Sequence, residues 1–156
     1  MSITVELGLD RPMEDVRHET VLNIVRTATL LSQLGGVLFR QFGLTEAQFN
    51  VLFALKFKEH EWTQSDLGKR LVVTRASVTS VLDKLEEKGL VRREAVPNNR
   101  RIYHVNLTPA GRVLVDKVEP LYRRSIYEML ADFGEDDCRA LIRSLERVRA
   151  KCIDAE

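Results

Sequence analysis

Three short helices are predicted to begin within thirty residues of one another, and this spacing restricts the fold more than any other feature. Thr45, Thr63 and Thr74 each precede a segment of helical apolar periodicity, and a threonine hydroxyl is a favourable N-cap acceptor. Gln48 completes a capping box with Thr45, and Asp66 places a negative charge in the first turn after Thr63. The pattern predicts compact helices near residues 45–59, 63–71 and 74–88.

The periodicity changes after Gly89, where the third helix is expected to end because glycine readily adopts a left-handed backbone conformation. Residues 90–95 and 102–107 have strand character, and the second segment is rich in β-branched and aromatic side chains. Between them, residues 96–101 contain Pro97 and are predicted to form a turn with a basic tip. The segment is therefore predicted to be a β-hairpin.

Longer helices are expected on either side of this central segment. Residues 14–42 contain no proline, and their apolar side chains recur at helical spacing. Thr108 and Pro109 suit the N-cap and first position of a further helix. That helix is predicted to continue to about residue 133, with a kink near Pro120.

The segment after Gly134 predicts a last helix with a continuous apolar face. Cys138 and Cys152 lie on this face, ~21 Å apart along a helix, which is too far for a disulfide bond. Both are interpreted as small core residues in a reducing compartment, where burial makes a thiol sensor improbable. The predicted apolar face consists of Cys138, Leu141, Ile142, Leu145, Val148 and Cys152.

Two short helices joined by a tight turn and followed by a basic hairpin form a winged helix-turn-helix. The helix after Thr74 carries small hydrogen-bonding side chains in its first two turns and acids later, so its N-terminal end is expected to enter a DNA groove. The arginines of the hairpin tip suit a narrow minor groove. A solvated helix face and an incidentally charged turn are the simpler alternatives. The predicted DNA-binding residues are Thr63, Gln64, Ser65, Thr74, Arg75, Ser77, Thr79, Ser80, Lys84, Asn98, Asn99, Arg100 and Arg101.

The distribution of charge agrees with a polyanionic partner. The net charge of +1 conceals an asymmetry: residues 63–112 contain ten basic and five acidic side chains, and the rest of the chain contains 14 and 18. A basic centre between acidic ends favours a central surface that meets double-stranded DNA. Chance clustering of charge is the alternative.

Five segments of the chain together resemble the MarR family of transcriptional regulators, and the resemblance covers nearly the whole chain. It implies a homodimer built from the first and last two helices, with two winged lobes that read half-sites of a pseudo-palindromic operator. It also implies control by a small ligand or oxidant. We expect the regulator to be a repressor, and the ligand to be a small aromatic or apolar molecule. The segments are residues 67–71 (LGKRL), 74–79 (TRASVT), 82–91 (LDKLEEKGLV), 99–101 (NRR) and 107–112 (LTPAGR).

The fold class that follows is mainly α with a small β-hairpin, a winged helix-turn-helix with N- and C-terminal dimerisation helices. We expect the dimerisation helices over residues 14–43 and 108–156, and the DNA-binding lobe over residues 44–107. Residues 1–13 are expected to form an N-terminal arm that could be flexible.

The chain departs from the family pattern in the recognition helix and in the wing. Ser80 stands where the family often has an arginine, so no known operator sequence is transferred to this chain. Val96 and Asn99 stand where acids are usual, and an acid–arginine bond at the wing tip is therefore not expected from these positions.

Other functional classes have little support in the sequence. His18, His60 and His104 lie on separate predicted elements without metal-ligand spacing, and no nucleophile elbow or phosphate loop is present. We predict no enzyme activity, no metal and no cofactor. No apolar run approaches the ~18 residues of a membrane span and the N-terminus lacks signal-peptide character, so no membrane association and a cytoplasmic location are expected. The alternative function is a winged-helix module for protein–protein contact without DNA.

Phenylalanines are concentrated at the end of the first helix and along the second. Core packing is the simpler interpretation of this helical spacing. The alternative is an apolar cleft for a small aromatic effector, of the kind that the family resemblance implies. The candidate ligand-binding residues are Phe39, Phe42, Phe49 and Phe53.

Overall fold

A computed structural model describes the backbone of residues 2–11, 13–71, 75–96 and 99–154, with the side chains of residues 75–77 and 99–101 outside the description. The described part is mainly helical with one antiparallel hairpin, which confirms the predicted fold class. The elements in chain order are α1 (Ile3–Glu6), α2 (Val16–Arg40), α3 (Glu46–Lys56), α4 (Gln64–Arg70), α5 (Arg75–Glu87), β1 (Val91–Val96), β2 (Asn99–Leu107), α6 (Pro109–Met129) and α7 (Glu135–Ile153). The chain divides into two compact units, residues 1–119 and 120–156.

Local hydrogen bonds explain where α3 and α4 begin. The Thr45 hydroxyl accepts a hydrogen bond from the Gln48 amide at 3.2 Å, and the Gln48 side chain accepts one from the Thr45 amide at 3.1 Å. This confirms the predicted capping box. Asp66 closes a second box, because its carboxylate accepts a hydrogen bond from the Thr63 amide at 3.0 Å. Thr74, the third predicted cap, lies outside the described residues.

The hairpin is longer and its turn is narrower than predicted. Its strands pair from Val91 with Leu107 to Val96 with Asn99, with an irregularity between Ala95 and Val96. The predicted turn over residues 96–101 is therefore wrong at both ends. One further pair, between Val96 and Asn99, forms beyond the irregularity and extends both strands towards the turn. Asn99, Arg100 and Arg101 consequently belong to β2, and residues 97–98 lie outside the description.

The core of the first unit lies where α2, α3, α4, α5 and β2 meet. The rings of Phe39 and Phe49 stack with centroids 4.3 Å apart, and both residues are buried. The buried side chains of Leu67 in α4 and Leu82 in α5 extend this core into the helix-turn-helix. The helix α5 ends as predicted, with Gly89 at a φ of 67°. The buried core also includes Leu44, Val51, Leu52, Leu55, Val78, Leu85 and Val105.

The helix α2 is more apolar than predicted. It is long and apolar enough to cross a membrane by length and composition, although the sequence was expected to contain no such segment. Polar residues such as Asn23 and Thr27 interrupt the apolar sequence of α2, so the helix contains no long uninterrupted apolar run. The core helices of soluble proteins and signal sequences meet the same criterion, so one such helix is weak evidence for a membrane.

The two last helices begin at the predicted positions. The Thr108 hydroxyl accepts a hydrogen bond from the Gly111 amide at 3.0 Å, and α6 continues through Pro120 to Met129. In α7 no residue is buried, and Cys138 is half-buried while Cys152 is exposed. The interpretation of both cysteines as core residues is therefore wrong for the single chain. Their apolar face is instead a surface, on which Leu141, Ile142 and Val148 are exposed.

Candidate nucleic-acid interface

The helix α5 buries one apolar stripe and thereby fixes which side chains face outwards. Val78, Leu82 and Leu85 are almost completely buried, at helical spacing. Thr79 and Ser80, in the first half of α5, are exposed. Hydroxyl side chains at such positions can bond phosphate oxygens and base edges.

The N-terminal residues of α4 lie beside this exposed part of α5. Gln64 donates a hydrogen bond from its side-chain amide to the Thr79 hydroxyl at 2.5 Å. Ser65 is exposed, and Thr63 and Gln64 are half-buried. The structure therefore brings four of the predicted DNA-binding residues, Thr63, Gln64, Ser65 and Thr79, to one surface.

This surface is an open depression of about 370 Å³ that extends to the hairpin. Ile102 and Tyr103 of β2 line it together with the residues of α4 and α5, and their side chains are 39% and 41% exposed. These two residues were not among the predicted DNA-binding residues. Their position directly after the arginines of the wing could have suggested a role in DNA binding. Only the tertiary structure shows that this part of β2 lies beside the helix-turn-helix.

Lys84, also predicted to bind DNA, lies in a different place. It lines a separate depression of about 510 Å³ with Arg40, Gln48 and Lys88, where α2, α3 and the last turns of α5 meet. The structure thus does not place Lys84 with the group around Thr79. The backbones of Arg75 and Ser77 lie in the first turn of α5, and Thr74 and Asn98 lie outside the described residues.

Two of the acids in the second half of α5 are paired with an arginine of the wing. The Arg93 guanidinium donates hydrogen bonds to Glu86 at 2.8 Å and to Asp83 at 2.5 Å. The bond with Arg93 holds the pKa of Glu86 below its ordinary value. Burial alone would lower the pKa of Arg93, but the bonds with Glu86 and Asp83 outweigh it and raise this pKa. Glu86 is therefore ionised at neutral pH, and both carboxylates lie against the positive charge of Arg93.

The histidines form no catalytic or metal-binding arrangement in the part of the chain that the structure describes. His60 accepts a hydrogen bond from the Trp62 indole at 3.2 Å, and His104 lies 3.9 Å from the Glu61 carboxylate. No group of three or more potential ligands among the described residues could hold a metal ion.

Comparison with known sequences decides the family. The sequence model of the MarR family matches residues 42–102. The HTH-type transcriptional regulator MhqR of Bacillus subtilis is 32% identical over 106 residues, which are 68% of this chain and 72% of that protein. This chain belongs to the MarR family. The uncharacterized HTH-type transcriptional regulator YdgJ of the same species is 36% identical over 107 residues, 69% of this chain and 65% of YdgJ. The family consists of transcriptional regulators, so the protein is not an enzyme.

Solved structures of MarR regulators confirm the winged fold. The Mycobacterium tuberculosis regulator MosR, determined in complex with DNA, is 30% identical with a TM-score of 0.68, covering 89% of this chain and 98% of MosR. Bordetella bronchiseptica BpsR is 27% identical with a TM-score of 0.69, covering 83% of this chain and 98% of BpsR. That structure concerns the regulation of BpsR DNA binding by 6-hydroxynicotinic acid.

Proposed function

We propose that this MarR-family regulator is a cytoplasmic homodimeric repressor that binds a pseudo-palindromic operator. Each protomer inserts the N-terminal half of α5 into a major groove and the tip of the hairpin into the adjacent minor groove. The observation that carries this proposal is the hydrogen-bonded contact between Gln64 and Thr79, beside β2, on one exposed polar surface. The DNA complex of MosR, a protein of the same fold, supports it.

The exposed apolar helices support the dimer. Within α2, Val21, Val25 and Leu34 are each more than half exposed, and α7 exposes an apolar face along its length. Contiguous apolar surface of this kind marks an interface in a soluble protein. A second copy of the chain that covers α2 and α7 accounts for both their composition and their exposure. In the proposed dimer, the two α5 helices are expected to meet major grooves about 34–36 Å apart.

Salt dependence of DNA binding tests the proposed function. Because phosphate contacts release counterions, affinity for a random duplex should fall by at least about tenfold between 50 and 200 mM salt. Arg101→Ala should weaken binding to most sequences and flatten this salt slope, and Arg100→Ala should do the same. The control Arg124→Ala removes a basic side chain from α6, outside the proposed interface. Affinity that does not change with salt would instead favour a winged-helix module for protein–protein contact.

A small aromatic carboxylate is the proposed effector, and it is expected to weaken operator binding. Phe39 and Phe49 are core residues, so only Phe42 and Phe53 among the four candidate phenylalanines retain partial exposure. The Lys117 ammonium lies 5.7 Å from the centre of the Phe42 ring and supplies a cation for a carboxylate. The reported regulation of BpsR by 6-hydroxynicotinic acid supports this ligand class.

The effector proposal is tested with a panel of aromatic carboxylates and phenols, scored by thermal shift and by release of operator DNA. An effector should bind the DNA-free protein more tightly than the DNA-bound protein. Its binding should therefore release operator DNA, by an amount set by that difference in affinity. Phe53→Ala should reduce both responses. If it changes neither response, Phe53 is simply part of the core.

A further inference from the structure

Among the described residues, side-chain hydrogen bonds join the base of the hairpin to α5. We propose that Arg93, together with Asp83 and Glu86, is a positioning residue that holds the wing at the angle to α5 at which both contact DNA. This inference rests on the proposed DNA binding and deepens it. In this role Arg93 contributes to operator affinity through its contacts with α5 and not through a contact with DNA.

The hydrogen bonds of Arg93 restrain both the distance between the wing and α5 and the orientation of the wing relative to that helix. The Arg93 guanidinium donates hydrogen bonds to Asp83 and Glu86 of α5, and the Arg93 backbone amide also donates to Glu86 at 2.9 Å. Glu86 therefore holds the strand backbone and the side chain of the same residue. A planar guanidinium that bridges two carboxylates resists rotation more strongly than a single contact does. Only 22% of the Arg93 side chain is exposed, so water competes weakly for these bonds.

The base of the hairpin is the point at which the wing can pivot. Val91 and Val105 anchor the two strands in the core, and both are buried. Beyond them the described part of the hairpin consists of two strands, and an isolated two-stranded hairpin is marginally stable. Arg93 pairs with Val105 across the strands, so its contact to α5 acts directly at the anchored end. Val96 and Asn99 are not acidic, so neither residue can form an ion pair with an arginine at the outer end of the wing.

Removal of an acid from α5 gives a test in which positioning and simple electrostatics predict opposite signs. Glu86→Gln removes a negative charge near DNA, so electrostatics alone predicts tighter binding. If Glu86 positions the wing, operator affinity falls about tenfold instead, within the range of coupling between contacting residues. Glu87→Gln is the matched control, because it removes the same charge from the next, exposed position of α5. This control should bind operator as tightly as the wild type, or more tightly.

A double-mutant cycle tests whether Arg93 acts through the wing tip. In the wild-type background, Arg101→Ala should weaken operator binding severalfold, whereas in an Arg93→Met background the same change should have a much smaller effect. Arg92→Met serves as the control background, because Arg92 is exposed and pairs with Glu94 within its own strand. Hydroxyl-radical footprints of Arg93→Met should lose the protection given by the wing and keep that given by α5.

The outcomes separate this inference from the function on which it rests. Additive effects of Arg93→Met and Arg101→Ala, or tighter operator binding by Glu86→Gln, would overturn the positioning role while leaving DNA binding intact. A wild-type protein without salt-dependent DNA binding would overturn the proposed function itself. If Arg93→Met does not fold, as judged by thermal unfolding, the comparison of Glu86→Gln with Glu87→Gln decides the question.

Discussion

Gly111 shows how a single residue type can be dictated by a tertiary contact. A Cβ atom at this position would lie 2.0 Å from the carbonyl oxygen of Leu90 and 3.3 Å from a methyl carbon of Leu107. The nearer atom belongs to backbone that is held between the end of α5 and the start of β1. Glycine is therefore required for the close approach of α6 to this segment, and not for a left-handed turn as at Gly89.

We predict that Gly111→Ala lowers the free energy of unfolding by about 1–3 kcal/mol, because the backbone must move to accept the methyl group. Gly36→Ala in α2 is the contrast, since its Cβ would meet only the end of the Arg40 side chain, at 3.3 Å. That change should be neutral or stabilising by up to about 1 kcal/mol, the difference in helix propensity. Urea unfolding of both variants measures the difference, and equal effects would show that the contact with Leu90 is not limiting.

At the scale of single elements, the short helix α4 depends on its first turn. Seven residues are too few for a stable isolated helix, so the capping box and packing must hold it. The hydrogen bond from the Thr63 amide, followed by that from the Thr63 hydroxyl, lowers the pKa of Asp66 below its ordinary value. The box therefore works through an ionised carboxylate, and α4 is the element that carries Gln64 and Ser65 to the proposed interface.

This pKa gives α4 a pH dependence of defined sign. The stability that Asp66 contributes is fully present above its unfolded pKa of about 4 and is lost as the pH falls through the lowered folded value. Compared with Asp66→Asn, the wild type should be more stable at pH 6–8, and the difference should disappear in acid. Thr45→Ala in the α3 box is the control, with a loss of about 0.5–2 kcal/mol that does not follow this titration. Thermal unfolding across pH checks both, and a constant Asp66→Asn difference down to pH 2 would contradict the mechanism.

Other parts of the site show the same division between local and distant causes. The exposed hydroxyls of Thr79 and Ser80 follow from helical periodicity alone, and the sequence predicted them. The sequence did not predict that Ile102 and Tyr103 line the same depression as α4. These two residues are almost forty positions from Thr63 in the sequence, and the fold of the hairpin brings them close to it. For the same reason the sequence could not separate Lys84 from the group around Thr79.

For the whole molecule, the apolar surface on α2 and α7 is the main feature that a single chain leaves unexplained. The first compact unit has its own core, whereas α7 in the second contains no buried residue. An exposed apolar helix face is stabilised when a partner covers it, at roughly 25 cal/mol per Å² of apolar surface removed from water. Proposed dimerisation through these helices therefore also contributes to folding.

Leu145→Asp should dissociate the proposed dimer, because the new carboxylate would be buried without a partner. Light scattering at micromolar concentration should change from the dimer mass to the monomer mass. Ser144→Asp is the matched control, since it places the same charge on the neighbouring, exposed position of α7. A wild-type protein with the mass of a monomer, or dissociation by both variants alike, would refute this arrangement.

The sequence by itself determined the features that depend on neighbours within about four residues. The starts of α3 and α4, the glycine stop after α5 and the threonine–proline start of α6 are of this kind, because capping and backbone preference act over one helical turn. The apolar stripe of α5 was equally local.

Only the tertiary structure decided the features that join distant segments. The bonds from Arg93 to Asp83 and Glu86 span ten and seven positions, the approach of Gly111 to Leu90 spans twenty-one, and the extended pairing of the hairpin depends on register. Such contacts form when packing removes competing water and fixes both partners, so the identity of either residue alone does not specify them.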